Sequence, residues 1–140
     1  MIVVDTGPLV ALLNADDRHH ERCRTWLASN GEPLAVPVPV VIETCYFIER
    51  DSRPEIEADF LASFGPDGIF EMVDLRPDDW ARAAEHIRTY ADLPLGVVDA
   101  AVVAVAERLQ ATRIATLDHR HFNVVRPSHI PSFELLPRIA

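Results

Sequence analysis

Lysine is absent from this sequence, so all 13 basic side chains among its 140 residues are arginines. Cysteine is scarce, because Cys23 and Cys45 are the only two and neither belongs to a zinc-type spacing. No segment has the length and apolar character of a membrane span, and the first residues lack the basic and apolar blocks of a secretory signal. These absences argue against a disulfide framework, a zinc site and a membrane protein, and they predict a cytoplasmic location.

The rest of the composition is that of a folded protein. Hydrophobic residues make up 49% and charged residues 25%, and the net charge is −9. This acidic balance argues against non-specific binding of nucleic acid, which depends on cationic side chains that neutralise phosphates. Arginine suits bidentate phosphate contacts, so a selective RNA substrate is compatible with the sequence. We expect one domain over residues 1–140.

Two acidic residues follow predicted strands. Residues 2–4 form a short apolar run that is typical of a buried strand, and Asp5 comes directly after it. Residues 112–117 alternate with β-branched side chains and predict a second strand, with Asp118 directly beyond its end. Ligands of open parallel sheets collect at the carboxyl ends of the strands. Both acids are therefore candidates for a binding site.

Two further acidic residues lie in apolar helices. Asp99 falls in the first turn of a helix that is predicted by the apolar spacing of residues 98–109. Glu43 lies within the apolar run of residues 40–48, for which Pro39 suits the first helical position. An ionised carboxylate in such surroundings needs a partner, because burial of an unpaired anion costs several kcal/mol or more. Divalent ions such as Mg²⁺ are bound through carboxylate oxygens, so the four acids predict a Mg²⁺ or Mn²⁺ site.

The remaining elements alternate between helices and strands. Helices are predicted over residues 9–13, 18–29, 54–64 and 77–90, and strands over residues 34–36, 69–73 and 133–135. Asp51 and Ser52 are the predicted cap of the third of these helices. Such alternation favours a mostly parallel sheet of four or five strands with helices on both faces.

Four motifs, in this order, resemble the PIN-domain ribonucleases and in particular the VapC toxins of bacterial toxin-antitoxin pairs. They are VVDTGPLVALL, VVIETCYFI, LPLGVVDAAVVAVAERL and ATLDHRHF. The resemblance covers nearly the whole chain and implies a PIN-like three-layer α/β/α fold. It also implies a Mg²⁺-dependent endoribonuclease that hydrolyses phosphodiester bonds in structured RNA, either tRNA or ribosomal RNA.

Carried over to this sequence, the resemblance assigns roles to individual residues. The catalytic and metal-binding acids are Asp5, Asp99, Glu43 and Asp118, of which the first two are the principal ligands. Thr6 and Thr116 are expected to donate hydrogen bonds to the acids beside them. Arg120 is a candidate RNA contact, with a solvated surface charge as the alternative.

Partners are implied by the resemblance as well. VapC-like toxins are usually homodimers, and a VapB-type antitoxin neutralises them by inserting basic or bulky side chains toward the acidic cleft. A protein with a net charge of −9 is expected to attract such a partner. Binding to DNA is expected only indirectly, through the antitoxin, and no membrane partner is expected.

Each of the four acids also fits an ordinary structural role. Asp5 and Asp118 suit turn caps, while Asp99 suits the positive end of a helix dipole. Glu43 suits an exposed helix face. The metal site is favoured because all four structural roles would otherwise have to hold at once. His119 and His121 are interpreted as solvated or capping residues and not as a catalytic base.

Two other classes of protein also place acidic residues at strand ends. Haloacid-dehalogenase-type phosphatases and phospho-accepting receiver domains use a lysine near the phosphoryl group, and this chain has none. Gly7 also stands where the phosphatase pattern has a second Asp. A non-catalytic PIN-like module that binds a metal or a partner is the alternative that the sequence leaves open.

Overall fold

The computed structural model describes residues 1–51 and 53–138, which form five strands and seven helices. The strands are β1 (Ile2–Val4), β2 (Leu34–Pro37), β3 (Phe70–Val73), β4 (Arg113–Ala115) and β5 (Glu134–Leu136). The helices are α1 (Thr6–Leu13), α2 (His20–Ser29), α3 (Val38–Arg50), α4 (Pro54–Ala62), α5 (Pro77–Thr89), α6 (Val97–Leu109) and α7 (His119–Val124).

The five strands form one sheet in the order β3-β2-β1-β4-β5, and all four pairings are parallel. Strand β1 lies at the centre, and its three residues are fully buried because helices cover both faces of the sheet. Val4 pairs with Ala115 at the carboxyl end of β1 and β4. This architecture confirms the predicted α/β fold with a parallel sheet.

Helix α6 is the most deeply buried helix of the described chain. Its residues from Ala100 to Glu107 are all buried, which explains why the apolar positions of this segment are small or β-branched. The helix ends at Leu109, and the left-handed backbone of Gln110 (φ 57°) then turns the chain toward β4. The deep packing of α6 fixes the position of Asp99 in its first turn.

Helices α5 and α6 are joined by a buried cluster of charges around Glu107. This carboxylate accepts hydrogen bonds from Nε and a terminal nitrogen of Arg82, both at 3.0 Å, and from the backbone N–H of Ser128 at 2.7 Å. Nε2 of His86 lies 2.8 Å from it. Burial opposes ionisation of Glu107, yet hydrogen bonds from His86, Arg82 and Ser128 hold its pKa below its ordinary value. The cluster also ties the segment after α7 to the helix that carries Asp99.

Several predicted boundaries differ from the structure near the carboxyl edge of the sheet. Strand β4 was predicted over 112–117 but ends at Ala115, because its partner β1 has only three residues to pair with. Residues 119–124 form α7, which was not predicted, and Asp118 caps it by accepting a hydrogen bond from the N–H of His121 at 3.0 Å. Asp118 therefore lies at a helix start and not directly at a strand end.

Other boundaries differ by smaller amounts. Helix α1 starts at Thr6 and not at Leu9, since Pro8 is tolerated in a first turn, where the backbone N–H has no intrahelical partner. Strand β5 lies one residue later than predicted, and α4 ends at Ala62. Arg53 occupies the cap position of α4, and the predicted cap Ser52 lies outside the described residues.

The described residues bear on the predictions about disulfides and about membrane spans. Cys23 and Cys45 are both buried free thiols, as expected for packing residues. Within the described ranges, no helix combines the length and the apolar character that a bilayer crossing requires.

Candidate active site

A cavity of about 510 Å³ opens beside the carboxyl ends of β1 and β4. Its polar wall consists of Asp5, Thr6, Asp17, Glu43, Asp99 and Asp118. The four acids that the sequence singled out therefore share one cavity, although they come from the end of β1, from α3, from α6 and from the start of α7. The edge of the sheet is the one at which parallel α/β folds bind their ligands.

Asp5 is the most deeply buried of these acids, with 6% of its surface exposed. Its backbone N–H donates to the carbonyl of Ala115 at 2.8 Å, which links it to β4. Burial raises the pKa of Asp5 to about 7. The nearby charges of Asp99 and Glu43 contribute to this increase, whereas the backbone of Thr6 and the hydroxyl of Thr116 oppose it. An ionised Asp5 is costly in this cavity unless a positive charge joins it.

Thr116 connects two of the acids. Its hydroxyl donates to Oδ2 of Asp5 at 2.8 Å and accepts from the backbone N–H of Asp118 at 3.0 Å. The predicted donor role of Thr116 matches this geometry. The hydroxyl also fixes the turn that follows β4, so one side chain sets both the orientation of Asp5 and the position of Asp118.

Thr6 differs from the expectation. The residue is only 5% exposed, and its hydroxyl has no hydrogen-bond partner anywhere in the described part of the chain. The structure therefore does not show the expected side-chain donation from Thr6 to Asp5, although the nearby backbone of Thr6 lowers the pKa of that carboxyl. A buried hydroxyl without a protein partner is uncommon in folded proteins, and Thr6 belongs to the cavity wall, so a group bound in the cavity is one partner that could satisfy it.

Asp99 and Asp118 face each other across a histidine. Nδ1 of His121 lies 3.0 Å from Oδ2 of Asp99 and 2.8 Å from Oδ2 of Asp118. Burial raises the pKa of Asp99, the charges of Asp118 and Glu43 raise it further, and the hydrogen bond from His121 opposes the increase. The interpretation of His121 as merely solvated or capping was wrong, because its side chain is 20% exposed and contacts both carboxylates.

A signal for His121 was present in the sequence. It follows Asp118 by three residues, a spacing that places both side chains on one face of a helix. The sequence patterns do not predict α7, and without that helix the spacing of Asp118 and His121 does not indicate a contact. Asp99, Asp118 and His121 offer ligand atoms that all lie within 4.8 Å of one another.

Glu43 reaches the cavity from the side of α3. It is half-buried and lies one helical turn before Phe47, which also lines the cavity. Asp17, in the connection between α1 and α2, lines the cavity too and was missed, because nothing in its local sequence distinguishes it from Asp16. Arg120 is exposed on α7 and is not among the residues that form the cavity wall, so its RNA contact stays a prediction.

The donor set fits a hard divalent cation. The wall supplies carboxylate oxygens from five acidic residues, and the residues found to line it include neither lysine nor arginine. Carboxylates at this density can remain ionised together only when a cation compensates them. The unpartnered hydroxyl of Thr6 supplies a further oxygen for an ion or its water.

Comparisons with known proteins point to one group. The sequence profile of the PIN domain family matches residues 2–126. Ribonuclease VapC26 of Mycobacterium tuberculosis is 29% identical over 136 residues, which are 97% of this chain and 100% of that protein.

Solved structures give the same fold. Mycobacterium tuberculosis VapC20, a Sarcin-Ricin loop cleaving toxin, has a TM-score of 0.74 at 22% identity, with 81% of this chain and 87% of that chain covered. The toxin-antitoxin complex from Klebsiella pneumoniae gives a TM-score of 0.68 at 17% identity, with 89% and 92% covered.

Proposed function

Because this chain belongs to the PIN domain family, we propose that it is a metal-dependent endoribonuclease of the VapC toxin type. The convergence of Asp5, Glu43, Asp99 and Asp118 on one cavity carries the proposal. The 29% identity to a protein named as a ribonuclease supports the choice of RNA as substrate. We treat residues 1–140 as a single catalytic domain.

The acids have distinct places in this proposal. Asp5 and Asp99 are the principal ligands of Mg²⁺ or Mn²⁺, and Glu43 and Asp118 complete the set. A divalent cation held there supplies the positive charge that acidifies a water molecule and stabilises the charge developing on the phosphate.

The surrounding residues position these acids. Thr116 holds one oxygen of Asp5 and leaves the other available to the cavity. Phe47 and Leu117 form apolar parts of the wall, which lower the local dielectric and so strengthen the attraction between carboxylates and cations. Each acid lies on a buried strand or helix, or directly at the end of one, and this packing fixes the position of its carboxylate.

We expect Arg50, beside the cavity, to supply positive charge for the RNA phosphates. The guanidinium of Arg50 lies 5.8 Å from the ring centroid of Phe47, and Phe47 lines the cavity. Arg50 is exposed and therefore free to bind a phosphate that approaches the acids. We expect Arg120 to contact RNA further from the reacting phosphate.

The expected reaction is hydrolysis with water as nucleophile. Attack on phosphorus breaks the bond to the 3′ oxygen, which takes up a proton, and leaves a 5′-phosphate and a 3′-hydroxyl. A histidine base is not needed, and Nδ1 of His121 is already engaged by two carboxylates. A metal-free ribonuclease that uses the 2′-hydroxyl leaves a cyclic phosphate instead, so the product ends distinguish the two mechanisms.

Substrate and partners follow the VapC pattern in this proposal. The substrate is structured RNA, either tRNA or ribosomal RNA, and a VapB-type antitoxin neutralises the enzyme. The toxin-antitoxin complex among the structural neighbours supports this partner. We further propose a homodimer that reaches DNA only through the antitoxin.

One experiment tests the activity. Purified protein is incubated with total cellular RNA and Mg²⁺ or Mn²⁺, and the new 5′ ends are mapped by sequencing with and without EDTA. We expect cleavage at a few sites in tRNA or ribosomal RNA, 5′-phosphate products, and loss of cleavage with EDTA and in Asp99→Asn. Asp67→Asn, an exposed residue in the loop before β3, is the matched control and keeps full activity.

The same variants distinguish a metal-dependent enzyme from a non-catalytic binding module. A binding module cuts no RNA under any ion, whereas the enzyme loses cleavage in Asp99→Asn and keeps its fold and its antitoxin binding. Cleavage that persists in EDTA refutes the metal-dependent mechanism.

A further inference from the structure

We propose that His121 is a nitrogen ligand of the ion and makes the site prefer transition ions such as Mn²⁺ over Mg²⁺. This inference deepens the proposed function and rests on it, since it concerns the ion held by the same cavity. It assigns a metal-binding role to a residue outside the four predicted acids.

The geometry around Nδ1 of His121 suits a shared ion. In an octahedral site with ligands at about 2.1 Å, neighbouring ligand atoms lie about 3 Å apart. Nδ1 lies 3.0 Å from Oδ2 of Asp99 and 2.8 Å from Oδ2 of Asp118. Asp99, Asp118 and His121 each offer a ligand atom, and these atoms lie within 4.8 Å of one another, a spacing at which side chains can share an ion.

The backbone holds these atoms in place. The N–H of His121 donates to Oδ1 of Asp118 at 3.0 Å, which leaves Oδ2 directed to the imidazole. The ring is about four-fifths buried, and Asp99 is fixed by the buried helix α6. The cluster is therefore organised before an ion arrives, which reduces the cost of binding.

Nδ1 has two roles in this scheme. Without an ion, its N–H donates to both carboxylates and reduces their repulsion. With the ring proton on Nε2, the Nδ1 lone pair is available to an ion, which is one of the two ways in which a neutral imidazole binds a metal.

The chemistry of the donor atoms determines the preference. Mg²⁺ takes oxygen ligands almost exclusively, whereas imidazole suits transition ions, whose affinity for nitrogen rises from Mn²⁺ onward. A second observation indicates that the cavity takes a ligand, because the buried hydroxyl of Thr6 on its wall has no partner in the described chain. A site built from Asp5, Asp99 and Asp118 alone gives no such preference.

The test compares ion affinities of the full-length protein. Mn²⁺ and Mg²⁺ are titrated separately by calorimetry into the metal-free wild type, His121→Asn and His119→Asn. Asn at position 121 keeps an N–H donor for the carboxylates but has no nitrogen lone pair for a metal. We expect His121→Asn to weaken Mn²⁺ binding by at least about tenfold while Mg²⁺ binding changes by less than about threefold. His119→Asn is the same exchange two residues earlier and outside the cluster, and it should leave both affinities unchanged.

Pulsed electron paramagnetic resonance supplies a direct readout. The Mn²⁺-loaded wild type should show hyperfine coupling to one imidazole nitrogen, which disappears in His121→Asn and persists in His119→Asn. Absence of this coupling in the wild type, or an equal weakening of both ions by His121→Asn, overturns the inference. In that case His121 acts only as a hydrogen-bond donor, and the proposed nuclease stands. Failure of the wild type to bind either ion overturns the inference and the metal-dependent function together.

Discussion

Asp5→Asn should stabilise the metal-free protein at neutral pH, although it removes a central residue of the cavity. The carboxylate is 6% exposed, and burial raises its pKa from 3.8 to about 7. Its ionised form is therefore disfavoured in the folded protein relative to the unfolded chain. Asn keeps the shape of the side chain and can still accept the hydrogen bond from Thr116, but it carries no charge to bury.

The sign and size of the effect follow from the two pKa values. The folded protein holds the proton of Asp5 more tightly than the unfolded chain, so the contribution of Asp5 to the free energy of unfolding is fully present below pH 3.8 and is lost as the pH rises through about 7. At pH 7.5 the loss amounts to about 4 kcal/mol, of which about 2.5 kcal/mol accumulates above pH 5. The raised pKa of Asp99 acts in the same direction.

Urea unfolding in EDTA at pH 5 and pH 7.5 measures this difference. We expect the wild type to lose stability between the two values and Asp5→Asn to lose much less, so that the variant is the more stable protein at pH 7.5. Asp67→Asn, which changes an exposed acid, should follow the wild type. Addition of Mn²⁺ should reverse the order, because the ion stabilises the wild type through the charge that the variant lacks. A variant that is equally or less stable at pH 7.5 in EDTA refutes the reasoning.

Three further changes test other parts of the structure. Thr116→Val keeps the volume of the side chain but removes the hydroxyl that joins two acids, so metal affinity measured by calorimetry should fall by at least about tenfold; an unchanged affinity contradicts the role of the hydroxyl. Glu107→Gln removes the charge at the centre of the buried cluster and should cost about 1–3 kcal/mol in urea unfolding, because Arg82 keeps Glu85 and part of its exposure to solvent. A cost below about 0.5 kcal/mol shows that the cluster is not stabilising. Arg50→Ala should weaken RNA binding more than Arg138→Ala, which removes an equal charge near the amino edge of the sheet. Both changes are made in the Asp99→Asn protein, and binding is measured by fluorescence anisotropy. Equal losses of affinity indicate that only net charge matters.

Much of the fold and of the cavity could be predicted from local patterns. A three-residue apolar run followed by Asp5 is sufficient to indicate a central strand with an acid at its end, because polar residues are excluded from a strand that is buried on both faces. The apolar spacing around Asp99 predicts a buried helix for the same reason. Parallel pairing of β1 with β4 then brings Asp5 and the segment that follows β4 to one edge of the sheet.

The rest depends on contacts that no local pattern records. The end of β4 is set by the length of its partner β1, and α7 exists because Asp118 caps it after the turn that Thr116 fixes. His121 enters the site only through that short helix. The position of Asp17 on the cavity wall follows from the packing of α1 and α2, so its local sequence gave no signal.

The distribution of the cavity along the chain has a consequence for its synthesis. The acids come from positions 5, 43, 99 and 118, and β1 obtains its neighbour β4 only when residues 113–115 have been added. A chain of which only half has been synthesised therefore cannot form the cavity. A product truncated before β4 contains Asp5 but lacks Thr116 and Asp118. Under the proposed function, cleavage of RNA can begin only after residues up to Asp118 have been added, so an antitoxin can become available during that part of translation.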